Sequence, residues 1–242
     1  MRLLLRKIIS LVGYMFHRNN KSKVVYYHDV GTKYTEMGTD FAIMQKHFII
    51  TEQCGYKIVS QIDEAVGQVM ICFDDGWAGI YDVKDFFLKM KIYPTIFIAV
   101  DLIGKEGYLT IDKIKELDSL GFHFMAHTWS HKDLTSFDDS LLEHELKDSK
   151  EWFEQVFAHP FDALCFPMGR FSKKVKEKSL EFGYTQLYTS IPGSYYDLID
   201  DHLISRICVQ NASLLEYKWL LNGASSLYRR KIVNQQVVAD NS

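Results

Sequence analysis

The feature that most constrains this chain is a repeated alternation of short, near-continuous apolar runs with helical stretches. Gln68–Phe73 (QVMICF) shows no polar–apolar alternation, as in strands buried on both faces. Ala78–Lys91 follows with helical periodicity, then Tyr93–Val100 reads as a strand. Thr110 caps a helix over Ile111–Leu120 that Gly121 ends, and Phe122–Ala126 is the next strand. Upstream, Lys23–Asp29 and Tyr56–Ser60 read as strands around a helix that Asp40 caps and Gly55 stops. Downstream come a long helix over Asp138–Phe157, a strand Ala163–Phe166 and a helix between Ser172 and Gly183. Strands Thr185–Thr189 and Leu203–Val209 and a last helix near Leu214–Asn222 complete the series. Strands separated by helices need crossover connections, which give a parallel sheet with helices outside it. About seven such units without a break favour a closed α/β barrel over an open sheet.

Composition agrees with one globular domain. Of 242 residues, 47% are hydrophobic and 24% charged, and only four are proline, so no proline-rich linker divides the chain. The formal charge of −3 supplies no basic excess for nucleic-acid phosphates. There is no GxGxxG or Walker loop to support nucleotide binding. Cys54, Cys72, Cys165 and Cys208 form no CxxC pair, and three lie in strand-like runs, where cysteine acts as a small buried hydrophobe. Free thiols favour a reducing compartment.

Residues 1–20 (MRLLLRKIISLVGYMFHRNN) place Arg2, Arg6 and Lys7 ahead of the apolar stretch Ile8–Phe16. The run is too short to span a bilayer, and no small-x-small cleavage site follows it. An amphipathic helix docked on the domain is the expected reading, with a membrane-surface anchor or a signal peptide as alternatives. The expected organisation is an N-terminal segment over 1–20, one domain over 21–225 and a C-terminal tail over 226–242, frayed and polar from about residue 233.

The chemistry-bearing residues sit where strands end. Asp74 and Asp75, in Cys72-Phe73-Asp74-Asp75-Gly76-Trp77, directly follow a buried strand. Adjacent carboxylates at such a place are costly unless a positive group holds them. A metal would suit one, leaving the other free as a base; a helix-capping turn is the plainer alternative. His127 and His131, in His127-Thr128-Trp129-Ser130-His131, follow the strand Phe122–Ala126. Two histidines four apart reach one ion from a single turn, and imidazole suits zinc and similar divalent ions. Together with Asp75 they make a three-ligand set with open positions, as at catalytic sites. All these strand ends share one mouth, the active face of parallel barrels. His28, in Tyr26-Tyr27-His28-Asp29, and the turn Phe166-Pro167-Met168-Gly169 also lie at strand ends. Of the remaining histidines, His17, His47, His144 and His159 are expected to face solvent, and His123 and His202 have no visible partner.

CFDDG, HTWSH and CFPMG, in that order and spacing, resemble the polysaccharide deacetylase family, the NodB-homology domain of carbohydrate esterase family 4. The resemblance runs from about residue 23 to about residue 210 and implies a deformed (β/α)7 barrel. It implies a divalent metal, commonly zinc, with Asp75, His127 and His131 as ligands and Asp74 as general base. The family arginine that orients the base falls at Cys165 in this chain. Arg206 or Arg170 is the expected substitute. The family's late Leu-x-x-His motif has no match near the C-terminus. One subgroup, the poly-N-acetylglucosamine deacetylases, resembles a circular permutation in which the acid histidine arrives on an N-terminal strand. Tyr26-Tyr27-His28-Asp29-Val30 fits that subgroup and makes His28 the candidate acid. The Met168 backbone N–H would then help to hold the oxyanion. Trp77 and Trp129 would either stack on a sugar ring or pack the barrel rim.

The resemblance thus implies a metal-dependent hydrolase that removes N-acetyl groups from sugars of a polysaccharide or glycan. An O-acetyl esterase, another amide hydrolase or a non-catalytic carbohydrate-binding relative are the alternatives. A carbohydrate is the expected partner, with a possible peripheral membrane contact through residues 1–20. The expected location is the cytoplasm or the inner membrane surface, with secretion as the alternative.

Overall fold

The structure, a computed structural model, describes residues 11–31, 33–197 and 200–239. Its strands are β1 Lys23–Tyr27, β2 Asp29–Val30, β3 Gly38–Thr39, β4 Lys57–Val59, β5 Gln68–Phe73 and β6 Thr95–Ile98. They continue with β7 His123–Ala126, β8 Ala163–Cys165, β9 Gln186–Tyr188, β10 Leu203–Ile204 and β11 Arg206–Cys208. The main sheet runs β10-β9-β8-β7-β6-β5-β1-β11, with β4 beside the first half of β5. Every pairing in it is parallel. β10 and β11 are two halves of one segment interrupted at Ser205. The first half pairs with β9 and the second with β1, so this one segment joins the two ends of the sheet and closes the barrel.

Strand alternation sorts the apolar side chains into two layers. Val24, Tyr26, Met70, Cys72, Phe97, Cys165, Tyr188 and Ile204 form one buried cluster, the barrel interior. Their strand neighbours Val25, Tyr27, Val69, Ile71, Phe73, Ile96, Leu164 and Leu187 belong to the larger cluster shared with the helices. Residues two apart along a strand share a face. His28 therefore continues the inward row of Val24 and Tyr26, Asp74 that of Met70 and Cys72, and Arg206 that of Ile204. Asp29 falls on the outward face.

Several elements differ from their expected form. The stretch read as one helix over Ala78–Lys91 is two, Gly79–Asp82 and Lys84–Met90, broken at Val83. The long helix keeps its Asp138 cap but contains a π turn over His144–Asp148. The segment expected as a tail from residue 226, frayed from about residue 233, is helical over Arg229–Gln236. Ile232 and Val233 rest on the core, Arg229 donates to the Pro192 carbonyl at 3.0 Å, and Gln236 O accepts from Phe171 N at 3.0 Å. Two apolar residues in a polar sequence suffice to dock it, a signal too weak for periodicity to reveal. His47, expected at the surface, is fully buried. It stacks on Tyr217 with centroids 4.0 Å apart and bonds the Tyr27 hydroxyl and the Ala212 carbonyl. Burial holds its pKa down, at about 4, so the ring is neutral at physiological pH.

Of the N-terminal segment, residues 1–10 lie outside the described residues. Residues 11–16 are helical, and an added Cβ at Gly13 would lie 2.5 Å from the Ala224 carbonyl oxygen, so this helix touches the domain there. Met15 and Phe16 are exposed. Among the described residues no helix is long and apolar enough to cross a membrane.

Candidate active site

The C-terminal ends of β1, β5, β7, β8 and β11 bring most of the sequence-predicted residues to one mouth. β5 ends at Phe73, and the Asp74 N–H still donates to the Tyr27 carbonyl at 3.0 Å. The chain then turns through two left-handed residues, Asp75 (φ 71°) and Gly76 (φ 77°). Aspartate tolerates that region better than most residues. Gly76 is required there twice over, because a Cβ would also lie 2.8 Å from the Ile98 Cγ2.

That turn aims Asp75 at both histidines. Its Oδ1 lies 3.3 Å from His127 Nε2 and 3.0 Å from His131 Nε2, and the two rings are 4.7 Å apart. Burial pushes the Asp75 carboxyl up, but the hydrogen bonds and charge of the two imidazoles hold it well below the usual carboxylate range. The His127 Nδ1–H donates to the Cys165 carbonyl at 2.6 Å. That bond fixes the orientation of the ring and leaves Nε2 facing Asp75, as a hydrogen-bonding partner or as a nitrogen free to bind an ion. Two imidazole nitrogens and one carboxylate oxygen on a single point form a donor set that fits a zinc-like divalent ion. Asp74, His127 and Cys165 also place ligand atoms close together. There, however, the Asp74 carboxylate is already engaged by Arg206.

Arg206 donates from Nη1 to Asp74 Oδ1 at 2.7 Å and from Nη2 to Oδ2 at 2.9 Å. Its Nε donates to the Thr189 carbonyl at 2.9 Å, and Nη2 also lies 2.9 Å from Cys165 Sγ. The guanidinium is fully buried, with its carbon 4.3 Å from the Tyr26 ring centroid and 5.4 Å from that of Phe97. Cys165 thus leaves room for a cation that arrives from β11 instead of β8. Arg170, the other expected substitute, pairs with Asp133 at 2.7 Å instead.

His28 lies at the end of β1, and its Nδ1 is hydrogen bonded to Gln210 Oε1. Its partner is therefore an amide oxygen. Trp77 donates from Nε1 to Asp75 Oδ2 at 3.2 Å and stacks on Tyr108 at 4.0 Å. Trp129 donates to Asp101 Oδ1 at 3.0 Å and lies 4.6 Å from the His144 ring. Both tryptophans are therefore held by protein groups at the rim. Met168 sits in the left-handed region (φ 56°) on the turn after β8, with its side chain exposed. Sequence reasoning missed Gln210 and Glu145. Gln210 lies two residues beyond β11, so the strand-end rule that picked out His28 could have found it. Glu145 lies inside a helix and carries no such signal.

A closed parallel barrel with two histidines and a carboxylate converging at its mouth, beside an arginine-held aspartate, defines the class of this protein. The chain belongs to the polysaccharide deacetylase family, whose profile matches residues 62–187. Over 127 residues it is 29% identical to YxkH of Bacillus subtilis, a protein assigned by name to the polysaccharide deacetylases, covering 52% of this chain and 46% of that one. It is also 29% identical over 120 residues to a peptidoglycan-N-acetylglucosamine deacetylase of Bacillus cereus, covering 48% of this chain and 53% of that one. The chain thus spans about half the length of these curated relatives. In fold it is similar to IcaB from Ammonifex degensii, with TM-score 0.72, 17% identity and coverage of 84% of this chain and 98% of the other. It is similar also to the deacetylase PplD of Streptococcus pyogenes, with TM-score 0.70, 20% identity and coverage of 81% and 96%.

Proposed function

We propose that this chain is a metal-dependent deacetylase that removes N-acetyl groups from N-acetylated sugars of a polysaccharide or glycan. The convergence of Asp75, His127 and His131, with Asp74 next in sequence and held by Arg206, carries the reading. The name of the Bacillus cereus relative, an N-acetylglucosamine deacetylase, supports an amide substrate. The order of the parts supports the permuted poly-N-acetylglucosamine subgroup, because β1, directly followed by His28, comes first in the chain and lies beside β5.

Asp75, His127 and His131 would hold the ion, which when bound polarises an acetyl carbonyl and lowers the pKa of water. Asp74 accepts the proton of the attacking water. The two bonds from Arg206 occupy one lone pair on each carboxylate oxygen and leave others to receive it. The Met168 N–H shares the developing oxyanion charge. His28 delivers a proton to the leaving amine from Nε2, since Nδ1 is committed to Gln210.

Acetate release from N-acetylglucosamine oligomers tests the reading, with the chain assayed as purified, after chelation and after zinc is restored. Chelation should abolish release and zinc should restore it. Asp74→Asn should keep the zinc and lose about 10²–10⁴-fold in turnover. A stripped chain as active as the untreated one would overturn the metal requirement. Release from O-acetyl sugars alone would make the protein an esterase.

A further inference from the structure

We propose that Glu145 is a positioning residue that holds the His127–His131 loop in its metal-binding shape. The inference rests on the metal reading above and concerns how the ligands are kept in place without the ion.

The loop is strained. Thr128 (φ 70°) and His131 (φ 59°) both adopt the left-handed backbone region without being glycine. Such residues persist where their surroundings over-determine them. One restraint is internal, from the His131 N–H to Thr128 Oγ1 at 3.2 Å. The two residues between them, Trp129 and Ser130, turn their backbone N–H groups the same way. Both donate to Glu145 Oε2, at 3.0 and 2.9 Å, and the Ser130 hydroxyl donates to Oε1. A single carboxylate thus closes three donors of the loop between its two histidines.

Glu145 reaches the loop because of an irregularity in its helix. It lies in the π turn over His144–Asp148, where the regular α-helical ladder is interrupted. Such turns recur at functional sites. The side chain is 4% exposed, and no lysine or arginine pairs with it among the described residues. A buried carboxylate satisfied only by neutral donors is a costly choice for a structural filler. It is well placed to hold the loop, because its two oxygens take three donors at once.

Two variants separate this role from a purely electrostatic one. Glu145→Asp keeps the charge but withdraws the carboxylate by one methylene. Glu145→Gln removes the charge, yet its amide oxygen can accept both N–H groups while its NH₂ donates to Ser130 Oγ. Zinc affinity is read on the metal-free full chain by competition with a chromophoric chelator. Glu145→Asp should weaken zinc about 10–100-fold, the usual effect of losing a group that orients a ligand. Glu145→Gln should stay within about threefold of wild type, since its bonds are replaced one for one. Tight zinc in Glu145→Asp, or a loss in Glu145→Gln equal to or greater than that in Glu145→Asp, would overturn the inference. A wild-type chain that binds no zinc would instead overturn the metal reading on which it rests.

Discussion

Arg206 and Asp74, 132 residues apart in sequence, meet inside the barrel through two parallel hydrogen bonds of 2.7 and 2.9 Å. The guanidinium is fully buried and its third donor is spent on the Thr189 carbonyl. Burial opposes its charge, but the Asp74 carboxylate more than offsets this and holds the arginine well above its ordinary pKa. The pair sets the plane of the carboxylate next to Asp75.

Removing one partner of such a pair leaves a buried, uncompensated charge. Arg206→Met should lower stability by about 3–5 kcal/mol, measured by urea unfolding. Arg206→Lys should restore only part of this, because an ammonium cannot form the two-pronged contact. The double variant Asp74→Asn/Arg206→Met should regain most of the loss. Equal losses in the single and double variants would mean that Arg206 acts through the Tyr26 and Phe97 rings instead.

Trp77 is expected to hold Asp75 in place, the alternative being a platform for sugar. Its indole N–H holds Oδ2 at 3.2 Å while Oδ1 faces the histidines, and Tyr108 stacks on its ring. Trp77→Phe keeps an aromatic ring for that stack and removes the N–H. Zinc affinity should fall about tenfold, with KM for the oligomer little changed. Unaltered zinc affinity with a raised KM would favour the sugar platform.

His28→Ala should slow amide substrates far more than aryl acetates, whose leaving group needs no proton. Gln210→Ala should produce the same selective loss in smaller measure, since Gln210 holds the ring by Nδ1. Equal losses on both substrates would make His28 a structural residue.

Asp29 lies next to the proposed acid but faces outward and is fully buried, and among the described residues neither carboxylate oxygen makes a well-formed hydrogen bond. Burial raises its pKa from 3.8 to about 7, against the weaker pull of the nearby Val30 and Gly79 amides. Below the unfolded pKa the group is neutral in both states and costs nothing. As pH rises, the unfolded chain ionises first, so stability is progressively lost up to the folded pKa near 7. At about 1.4 kcal/mol per unit, the whole loss is at most about 4 kcal/mol. Asp29→Asn should remove this dependence, so that its stability relative to wild type climbs between pH 4 and 7 and then levels off. A difference that does not vary with pH would show that Asp29 is not the group responsible.

Much of this arrangement was legible in the sequence. The apolar runs around Gln68–Phe73 and Tyr93–Val100 identified parallel strands, because burial on both faces removes the polar alternation. The rule that polar residues at strand ends share a mouth brings Asp74, Asp75, His127 and His131 together from the sequence alone. Both rest on short-range order, on what a residue and its near neighbours can bury or bond. The same local logic capped the helices at Asp40, Thr110 and Ser172, each of which accepts a bond from the first helical turn.

Only the tertiary structure decided what depends on distant segments. That Arg206 and not Arg170 holds Asp74 follows from the barrel closing through Leu203–Cys208, which swings β11 against β1 and aims its inward residue at β5. That Gln210 holds His28, that Trp77 holds Asp75, and that a π turn delivers Glu145 to the histidine loop are likewise matters of which side chains meet across the barrel. A sequence pattern reports the face a residue presents. The partner it finds there is set by closure of the sheet and by helix irregularities that no local propensity encodes.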